Sequence, residues 1–149
     1  MARRIKQING YRSGFENKVA SALSEQKVKF EYEVTQIEYV KPETHHKYTV
    51  DFTLPNGILI ETKGRWTLED RKKHLLIKQQ HPELDIRFIF TNCNSKLSKK
   101  SRTTYGKWCE KNNFLYANKQ IPNDWLLEVK EVVDLPSLIK YKGIKHEVI

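Results

Sequence analysis

The stretch that most constrains the fold is YTVDFTLPNGILIETKG, residues 48–64, where two apolar runs flank a Pro-Asn-Gly sequence. Gly57 can supply the positive-φ position of a three-residue hairpin turn. We therefore expect strands over about residues 47–54 and 58–63. Strands joined by so short a turn pair in the antiparallel sense, which predicts a hairpin with apolar side chains on its buried face.

Charged side chains interrupt this apolar hairpin. With a three-residue turn, Asp51 lies opposite Glu61, and Lys63 shares the face of Glu61, whereas a two-residue turn would place Asp51 opposite Thr62. Like charges placed directly opposite each other destabilise a sheet unless a cation lies between them, and carboxylate oxygens are ligands that Mg²⁺ prefers. A nearby lysine can position or deprotonate a metal-activated water. The alternative is a polar edge, with Glu61 and Lys63 as a solvated ion pair and Asp51 as a cap near the turn.

The rest of the chain predicts one α/β domain, with a small mixed sheet and helices packed on it. The strand–helix–strand unit after the turn is typical of a right-handed parallel crossover. Alternation in the first strand changes phase, which indicates a bulge or bend near Thr35–Gln36. The predicted order is helix, three strands, helix, strand, helix, over residues 13–27, 29–40, 47–54, 58–63, 67–81, 85–91 and 103–113.

Two of these helices carry recognisable start signals. Ser13 is followed three residues later by Glu16, the pattern of a capping box, and Thr67 is followed in the same way by Asp70. In the helix over 67–81, Leu68, Leu75 and Leu76 are expected to lie toward one side, with Lys72 beside them.

The charge balance favours a polyanionic partner. The 149 residues include 27 Lys plus Arg against 18 Asp plus Glu, a net charge of +9. Nucleic acid is the first candidate, because a basic surface gains affinity by releasing counterions from phosphates, although a solubilising charge excess is the alternative. No apolar run approaches the roughly 20 residues that cross a bilayer, and the basic N-terminus lacks the apolar segment of a secretory signal. We expect a cytoplasmic protein with no membrane partner.

Three basic segments are candidate phosphate contacts, with solvated faces as the alternative. They are an N-terminal arm, the first turns of the helix over 67–81, and a loop near residue 100. Their residues are Arg3, Arg4, Arg12, Arg71, Lys72, Lys73, Lys96, Lys99, Lys100 and Arg102.

Several segments, taken in order, resemble one protein family. They are RSGFENKV, KFEYE, YTVDFTLPNGILIETKGRW, DRKKHLLIKQQHPELDIRFIF and SKL…TYGKWCEK…IPNDW, spanning about residues 11–125. The chain resembles the phage endonuclease I family of Holliday junction-resolving enzymes, within the nuclease superfamily of PD…(D/E)xK type. Val50 stands where the motif name has proline, a position that supplies no ligand. The resemblance implies a restriction-endonuclease-like mixed sheet flanked by helices.

The resemblance also implies a set of site residues. Glu16, Asp51, Glu61 and Lys63 fall on the catalytic positions. Asp51, Glu61 and the carbonyl of Thr62 would hold one Mg²⁺, and Glu16 with Asp51 would help hold a second, with Mn²⁺ able to substitute. Glu16 has a structural alternative, since it also occupies the third helical position of a capping box.

An intertwined, domain-swapped homodimer is implied as well. Glu16 of one subunit would join the other three catalytic residues of its partner, so that the active sites are shared. The strand over 29–40 and the link KPETHHK would form the bridge. Along the chain we expect a flexible basic arm over 1–12, a nuclease domain over 13–126 and a C-terminal helix or basic tail over 127–149.

The function implied is hydrolysis of branched DNA, resolving four-way junctions and leaving 5′-phosphates, without a small-molecule cofactor. If the chain is encoded by a phage, it would act in the host cytoplasm. Glu31 is a fifth carboxylate that could support the site or lie exposed at an edge. Two other functions remain open: a restriction-like or mismatch-directed nuclease of the same superfamily, and a non-catalytic basic module that binds DNA.

Overall fold

The computed structural model describes residues 10–41, 44–129, 138–140 and 144–146. Its helices are α1 (Gly14–Glu25), α2 (Leu68–Gln80), α3 (Tyr105–Lys111) and α4 (Asn123–Leu127). Its strands are β1 (Phe30–Tyr32), β2 (Thr35–Lys41), β3 (Thr44–Thr49), β4 (Phe52–Thr53), β5 (Leu59–Lys63), β6 (Ile86–Phe90), β7 (Tyr116–Asn118), β8 (Leu138–Lys140) and β9 (Ile144–His146).

The strands form two sheets. A six-stranded sheet has the order β7-β6-β5-β4-β1-β9, and a three-stranded sheet has the order β3-β2-β8. In the larger sheet β5, β6 and β7 are parallel to one another, while β4 is antiparallel to both β5 and β1. This arrangement confirms the predicted mixed sheet flanked by helices, including the parallel crossover from β5 through α2 to β6.

Side-chain caps fix where the three longer helices begin. The hydroxyl of Ser13 accepts a hydrogen bond from the backbone N–H of Glu16 at 3.0 Å, and Thr67 does the same for Asp70 at 3.1 Å. Thr104 caps α3 in the same way. Such caps satisfy N–H groups that the first helical turn leaves without partners. The predicted starts of the first two helices are confirmed.

The buried residues of α2 are not its leucines. His74 and Ile77 are fully buried, whereas Leu68 is 58% exposed and Leu75 is 40% exposed. Residues three apart lie on one face of a helix, and here that inner face holds an imidazole packed among aromatic rings. Helical spacing groups the leucines on one side of the helix, but it does not identify which side turns inward.

The hairpin turn forms as predicted. Gly57 has φ +90°, and its N–H donates to the carbonyl of Leu54. Phe52 pairs with Ile60, which confirms the register of a three-residue turn. Asp51 therefore stands one residue before β4, and its partner position on β5 is Glu61.

The strand predicted over 47–54 is interrupted. β3 ends at Thr49 in the small sheet, and β4 begins at Phe52 in the large one. The first strand is interrupted at the matching place, since Glu33 adopts φ 53° between β1 and β2. The bend was predicted near Thr35–Gln36, two residues after its observed position at Glu33.

Hydrogen bonds run across the paired interruptions. The N–H of Glu33 donates to the carbonyl of Asp51 at 3.1 Å, and the N–H of Val50 donates to the carbonyl of Thr35 at 3.0 Å. Buried backbone groups need such partners, so the two chain segments change sheets together.

Apolar clusters cover both faces of the large sheet. On one face α1 packs through Val19 and Leu23 against the cluster that includes Ile89. On the other, Phe88 and Phe90 belong to the cluster shared with α2 and α3. All five residues of β6 are buried, as expected for a strand with helices on both faces.

The C-terminal third contributes structure that the sequence did not indicate. β7 pairs with β6, and its three residues are too few to show an alternating pattern. β8 and β9 lie within 127–149 and add one strand to each sheet. Arg87 is buried, and it joins Asp85 and Glu128 through ion pairs at 2.7 Å each. Among the described residues, no helix has the length and apolar character needed to cross a membrane.

We predict that Gly57→Ala lowers the free energy of unfolding by about 1–2 kcal/mol, because an L side chain is strained at positive φ. A Cβ at this position meets nothing within 4 Å, so the loss would arise from backbone conformation. Gly64→Ala is the matched control, since its Cβ would make only an ordinary contact with Thr91 at 3.7 Å. Chemical denaturation measures both variants, and equal losses would contradict the prediction.

Candidate active site

The candidate site lies at one edge of the six-stranded sheet. β1 and β5 run in the same direction, because each is antiparallel to β4. Glu33 follows the end of β1, Asp51 precedes the start of β4, and Glu61 and Lys63 lie toward the C-terminal end of β5. Glu16 joins them from the first turn of α1. The structure therefore brings together in one chain the four residues that the resemblance placed at catalytic positions.

Asp51 is fixed by the strand opposite it. Its Oδ2 atom accepts two hydrogen bonds at 2.9 Å, one from the backbone N–H of Thr62 and one from the Thr62 hydroxyl. Burial and the negative charges of Glu61 and Glu16 raise the pKa of Asp51 well above its usual value, and the two bonds from Thr62 oppose that rise. The site thus holds a carboxylate whose charge is unfavourable without a neighbouring cation.

Glu61 is buried between a tyrosine and a lysine. The hydroxyl of Tyr48 donates a hydrogen bond to its Oε2, and Lys63 Nζ lies 3.6 Å from its Oε1. Burial raises the pKa of Glu61, although the charge of Lys63 and the bond from Tyr48 counteract part of the effect.

Lys63 is shared between two carboxylates. Its Nζ lies 3.3 Å from Asp70 Oδ1, slightly closer than its distance to Glu61. Burial alone would lower the pKa of Lys63, but the charges of Glu61 and Asp70 raise it overall. The lysine is therefore a cation at neutral pH. Asp70 follows the N-terminal cap of α2, so the start of that helix positions the lysine.

Glu16 belongs to a second acidic group at the same edge. It is buried, and its Oε2 accepts a hydrogen bond of 2.7 Å from the hydroxyl of Tyr32. Glu16, Glu33 and Asp51 each bring one carboxylate oxygen within 4.8 Å of the others. Arg12 pairs with Glu33 at 3.0 Å from outside the group. The capping and acidic roles of Glu16 coexist, because the cap uses its backbone N–H and the cluster uses its carboxylate.

This donor set fits a hard divalent cation. Mg²⁺ takes oxygen ligands, mostly from carboxylates, and three carboxylates converge here while Glu61 stands on the adjoining strand. Asp51 is central, because its pKa is raised by charges from both sides. Bound positive charge would relieve that repulsion.

The predicted DNA contacts divide into groups. Lys72 is exposed, and so are the four basic residues of the loop after β6: Lys96, Lys99, Lys100 and Arg102. Arg71 is half-buried, and its Nη1 has no hydrogen-bond partner among the described residues. Lys73 belongs to the site, since its Nζ lies 3.9 Å from Asp70 and 5.0 Å from the centre of the Tyr48 ring. Arg3 and Arg4 lie outside the described residues.

The basic loop lies at the same edge as the acidic residues. Lys63, Phe90 and Asn118 end β5, β6 and β7 in register, so the segments that follow them emerge together. Arg65 and Lys119 are exposed cations on two of these segments, and sequence reasoning missed both. Their positions directly after apolar strands were the available signal.

Other residues of the site also escaped prediction. Glu33 takes the place in the acidic group that Glu31 was considered for. Glu33 lies two residues after Glu31, at the break between β1 and β2 where the backbone adopts φ 53°. Tyr48 and Tyr32 gave no signal beyond ordinary apolar strand positions.

A mixed sheet that gathers a helix glutamate, an aspartate and an E-x-K pair at one edge has the form of the restriction-endonuclease-like nucleases. Similarity to known proteins assigns the chain to one family within this class. The family model of phage endonuclease I matches residues 1–145. The chain belongs to the phage endonuclease I family, and it is a nuclease.

Two phage proteins show how close the relationship is. The chain is 52% identical over 144 residues to Endodeoxyribonuclease 1 of Enterobacteria phage T3, covering 97% of this chain and 95% of that protein. It is 50% identical over 144 residues to Endonuclease I of Escherichia phage T7, covering 97% of this chain and 96% of that protein. The likeness therefore extends over nearly the full length of each protein.

We predict that Asp51→Asn makes the metal-free protein more stable at pH 7. A carboxyl whose pKa is raised by folding binds more protons in the folded state, so its contribution to stability falls as pH rises from the unfolded pKa through the folded one. Removing the charge removes this loss. Each kcal/mol gained in the free energy of unfolding should raise Tm by about 2–4 °C.

Thermal unfolding in EDTA at pH 4 and pH 7 tests this prediction. The gain should shrink at pH 4, where Asp51 is largely protonated in the folded protein. Asp124→Asn is the control, since Asp124 is exposed on α4. An Asp51→Asn variant no more stable than wild type at pH 7 would contradict the electrostatic account.

Proposed function

We propose that the protein is a Mg²⁺-dependent endodeoxyribonuclease that cleaves branched DNA. It resolves four-way junctions by hydrolysing phosphodiester bonds and leaves 5′-phosphates. The observation that carries the proposal is the convergence of Glu16, Asp51, Glu61 and Lys63 at one sheet edge in a chain of the phage endonuclease I family. The name of the phage T3 relative specifies an endodeoxyribonuclease, which supports DNA as the substrate.

The acidic residues would hold the cations. Asp51, Glu61 and the carbonyl of Thr62 hold one Mg²⁺, and Glu16 with Asp51 holds a second; Mn²⁺ can replace either. When bound, Mg²⁺ lowers the pKa of water and offsets negative charge on the phosphate. The fixed position of Asp51, with both Thr62 donors on one oxygen, supports this assignment because it leaves the other oxygen toward the cluster.

Lys63 acts in this proposal as a positively charged donor. It is already a cation beside Glu61 and Asp70, so it can donate hydrogen bonds to a phosphate oxygen or to the attacking water. Asp70 holds the ammonium at the mouth of the site and limits its movement. The lysine would then orient water and stabilise the negative charge that develops on the phosphate oxygens.

The basic residues at the same edge would bind the DNA backbone. Lys72 and the loop after β6 are exposed, and Arg65 and Lys119 extend the positive surface beside them. Phosphate contacts of this kind fix the position of the DNA without reading its sequence. The N-terminal residues Arg3, Arg4 and Arg12 complete the predicted set.

A four-way junction has near two-fold symmetry and must be cut on two strands, so the proposed enzyme is a homodimer with two active sites. In the exchanged form that the family resemblance implies, Glu16 enters the site of the partner subunit. The contacts made here within one chain would then form between subunits. Light scattering of the protein in solution tests the dimer, and a monomer at micromolar concentration would contradict it.

We predict that Glu61→Ala and Lys63→Ala each reduce cleavage of a four-way junction to less than about a thousandth of wild type, since each removes charge from the reacting centre. Junction binding measured in EDTA should stay within about threefold of wild type, because phosphate contacts dominate affinity. Glu25→Ala and Lys111→Ala are matched controls, being exposed residues at the far ends of α1 and α3.

The same assay separates the other two functions. The junction and its matching linear duplex are incubated with each variant, with and without Mg²⁺. A restriction-like nuclease would cut the linear duplex preferentially. A non-catalytic DNA-binding module would cut neither substrate, and its binding would be independent of Mg²⁺ and of Glu61. Cleavage by either alanine variant at wild-type rate would refute the assignment of the site.

We predict that Lys72→Ala and Lys99→Ala each reduce the slope of log affinity against log salt concentration by about one unit, the expected value for losing one phosphate contact. Lys111→Ala should leave the slope unchanged, because Lys111 lies in the last turn of α3, on the side away from the carboxyl ends of the strands. Binding titrations at several salt concentrations measure the slopes. Unaltered slopes for both variants would place the DNA on another face.

A further inference from the structure

We propose that Tyr48 and Tyr32 are positioning residues that determine which carboxylate oxygen of Glu61 and of Glu16 faces the cation site. This inference rests on the proposed function and adds two residues to it. The observation behind it is a matched pair of buried hydroxyl groups, each of which donates to one oxygen of one acidic residue.

Tyr48 reaches Glu61 from the other sheet. It lies on β3 in the three-stranded sheet and pairs with Ile37, yet its hydroxyl donates to Oε2 of Glu61 on β5. The second oxygen of Glu61 then faces Lys63 at 3.6 Å. The side chain is 5% exposed, so water has little access to the ring.

The ring of Tyr48 is held on two sides. The buried imidazole of His74 contacts it edge-on, with ring centres 5.0 Å apart. The ammonium of Lys73 lies 5.0 Å from the ring centre. Both contacts come from α2, the helix that also carries Asp70. A ring packed in this way presents its hydroxyl in one direction, so the orientation of Glu61 is set before any ligand binds.

Tyr32 orients Glu16 by a similar device. Its hydroxyl accepts a hydrogen bond from the backbone N–H of Arg12 at 3.1 Å and donates to Oε2 of Glu16 at 2.7 Å. Because the N–H is a fixed donor, the hydroxyl proton must point to the glutamate. The ring is 1% exposed and packs against Tyr11 and Phe52, with ring centres 4.6 Å and 5.4 Å away.

The three carboxylates then share one pattern. Glu16, Asp51 and Glu61 each accept hydrogen bonds from a tyrosine or a threonine on a single oxygen, and the second oxygen of Glu61 lies 3.6 Å from Lys63 Nζ. A carboxylate held at one oxygen offers the other to a cation in a fixed direction. Hydrogen bonds of this kind, made by groups that do not touch the metal, typically change metal affinity by about 10–100-fold.

The test compares Tyr48→Phe and Tyr32→Phe with Tyr105→Phe as control. Tyr105 is also a buried tyrosine, but it lies on α3 against Phe90. Calorimetric titration of the DNA-free protein with Mn²⁺ should show binding weakened about tenfold or more in Tyr48→Phe. The Mg²⁺ concentration for half-maximal junction cleavage should rise by a similar factor, and saturating Mg²⁺ should restore most of the rate. Tyr105→Phe should match wild type.

Thermal unfolding in EDTA separates positioning from stability. If Tyr48→Phe lowers Tm but keeps wild-type Mn²⁺ affinity, the hydroxyl is only structural and the inference is overturned. If Tyr48→Phe does not fold, Tyr32→Phe carries the test, and wild-type metal affinity in that variant overturns the inference for both residues. A wild-type protein that neither binds Mn²⁺ nor cuts the junction would instead overturn the proposed function.

Discussion

Repulsion among close acidic side chains at one sheet edge is the interaction on which the rest of the site depends. Burial raises the pKa of both Asp51 and Glu61, and the negative charges of Glu61 and Glu16 raise that of Asp51 further, so the folded chain holds these groups at a cost in stability. The chain keeps them in place with directed hydrogen bonds from Thr62 and Tyr48 and with the charge of Lys63. Local strain of this type is retained where function requires it, and a cation is what would convert the repulsion into binding.

The division between the two sheets creates this edge. Two neighbouring segments leave the large sheet together at Glu33 and Asp51. Hydrogen bonds between the two segments at that point give their backbone N–H and C=O groups partners. Because of the interruption, β1 ends and β4 begins near the C-terminal end of β5. There the hydroxyl of Tyr48, from the small sheet, donates a hydrogen bond to Glu61. The second sheet thus contributes to the site by supplying a hydrogen-bond donor.

Features with local causes could be predicted from the sequence, and features with tertiary causes could not. The Gly57 turn, the Ser13 and Thr67 caps and the parallel crossover depend on residues near one another in the chain, and all of them formed as expected. The break at Glu33 has no local signal, because a glutamate rarely adopts positive φ and only the crossing hydrogen bonds hold it there. At the site, spacing identified the D…ExK residues, whereas Tyr48 became recognisable only when the small sheet was placed against β5.

Charge is separated within the molecule in a way that suits the proposed reaction. The chain as a whole carries +9, yet the sheet edge concentrates carboxylates, with exposed cations such as Arg65 and Lys119 emerging beside them. The outer cations attract the DNA backbone, while the carboxylates alone would repel the phosphate that must enter the site. Binding of DNA and entry of its phosphate into the site are therefore separate electrostatic events. In the proposed reaction the first would depend on lysine and arginine, and the second would require a divalent cation to neutralise the acidic cluster.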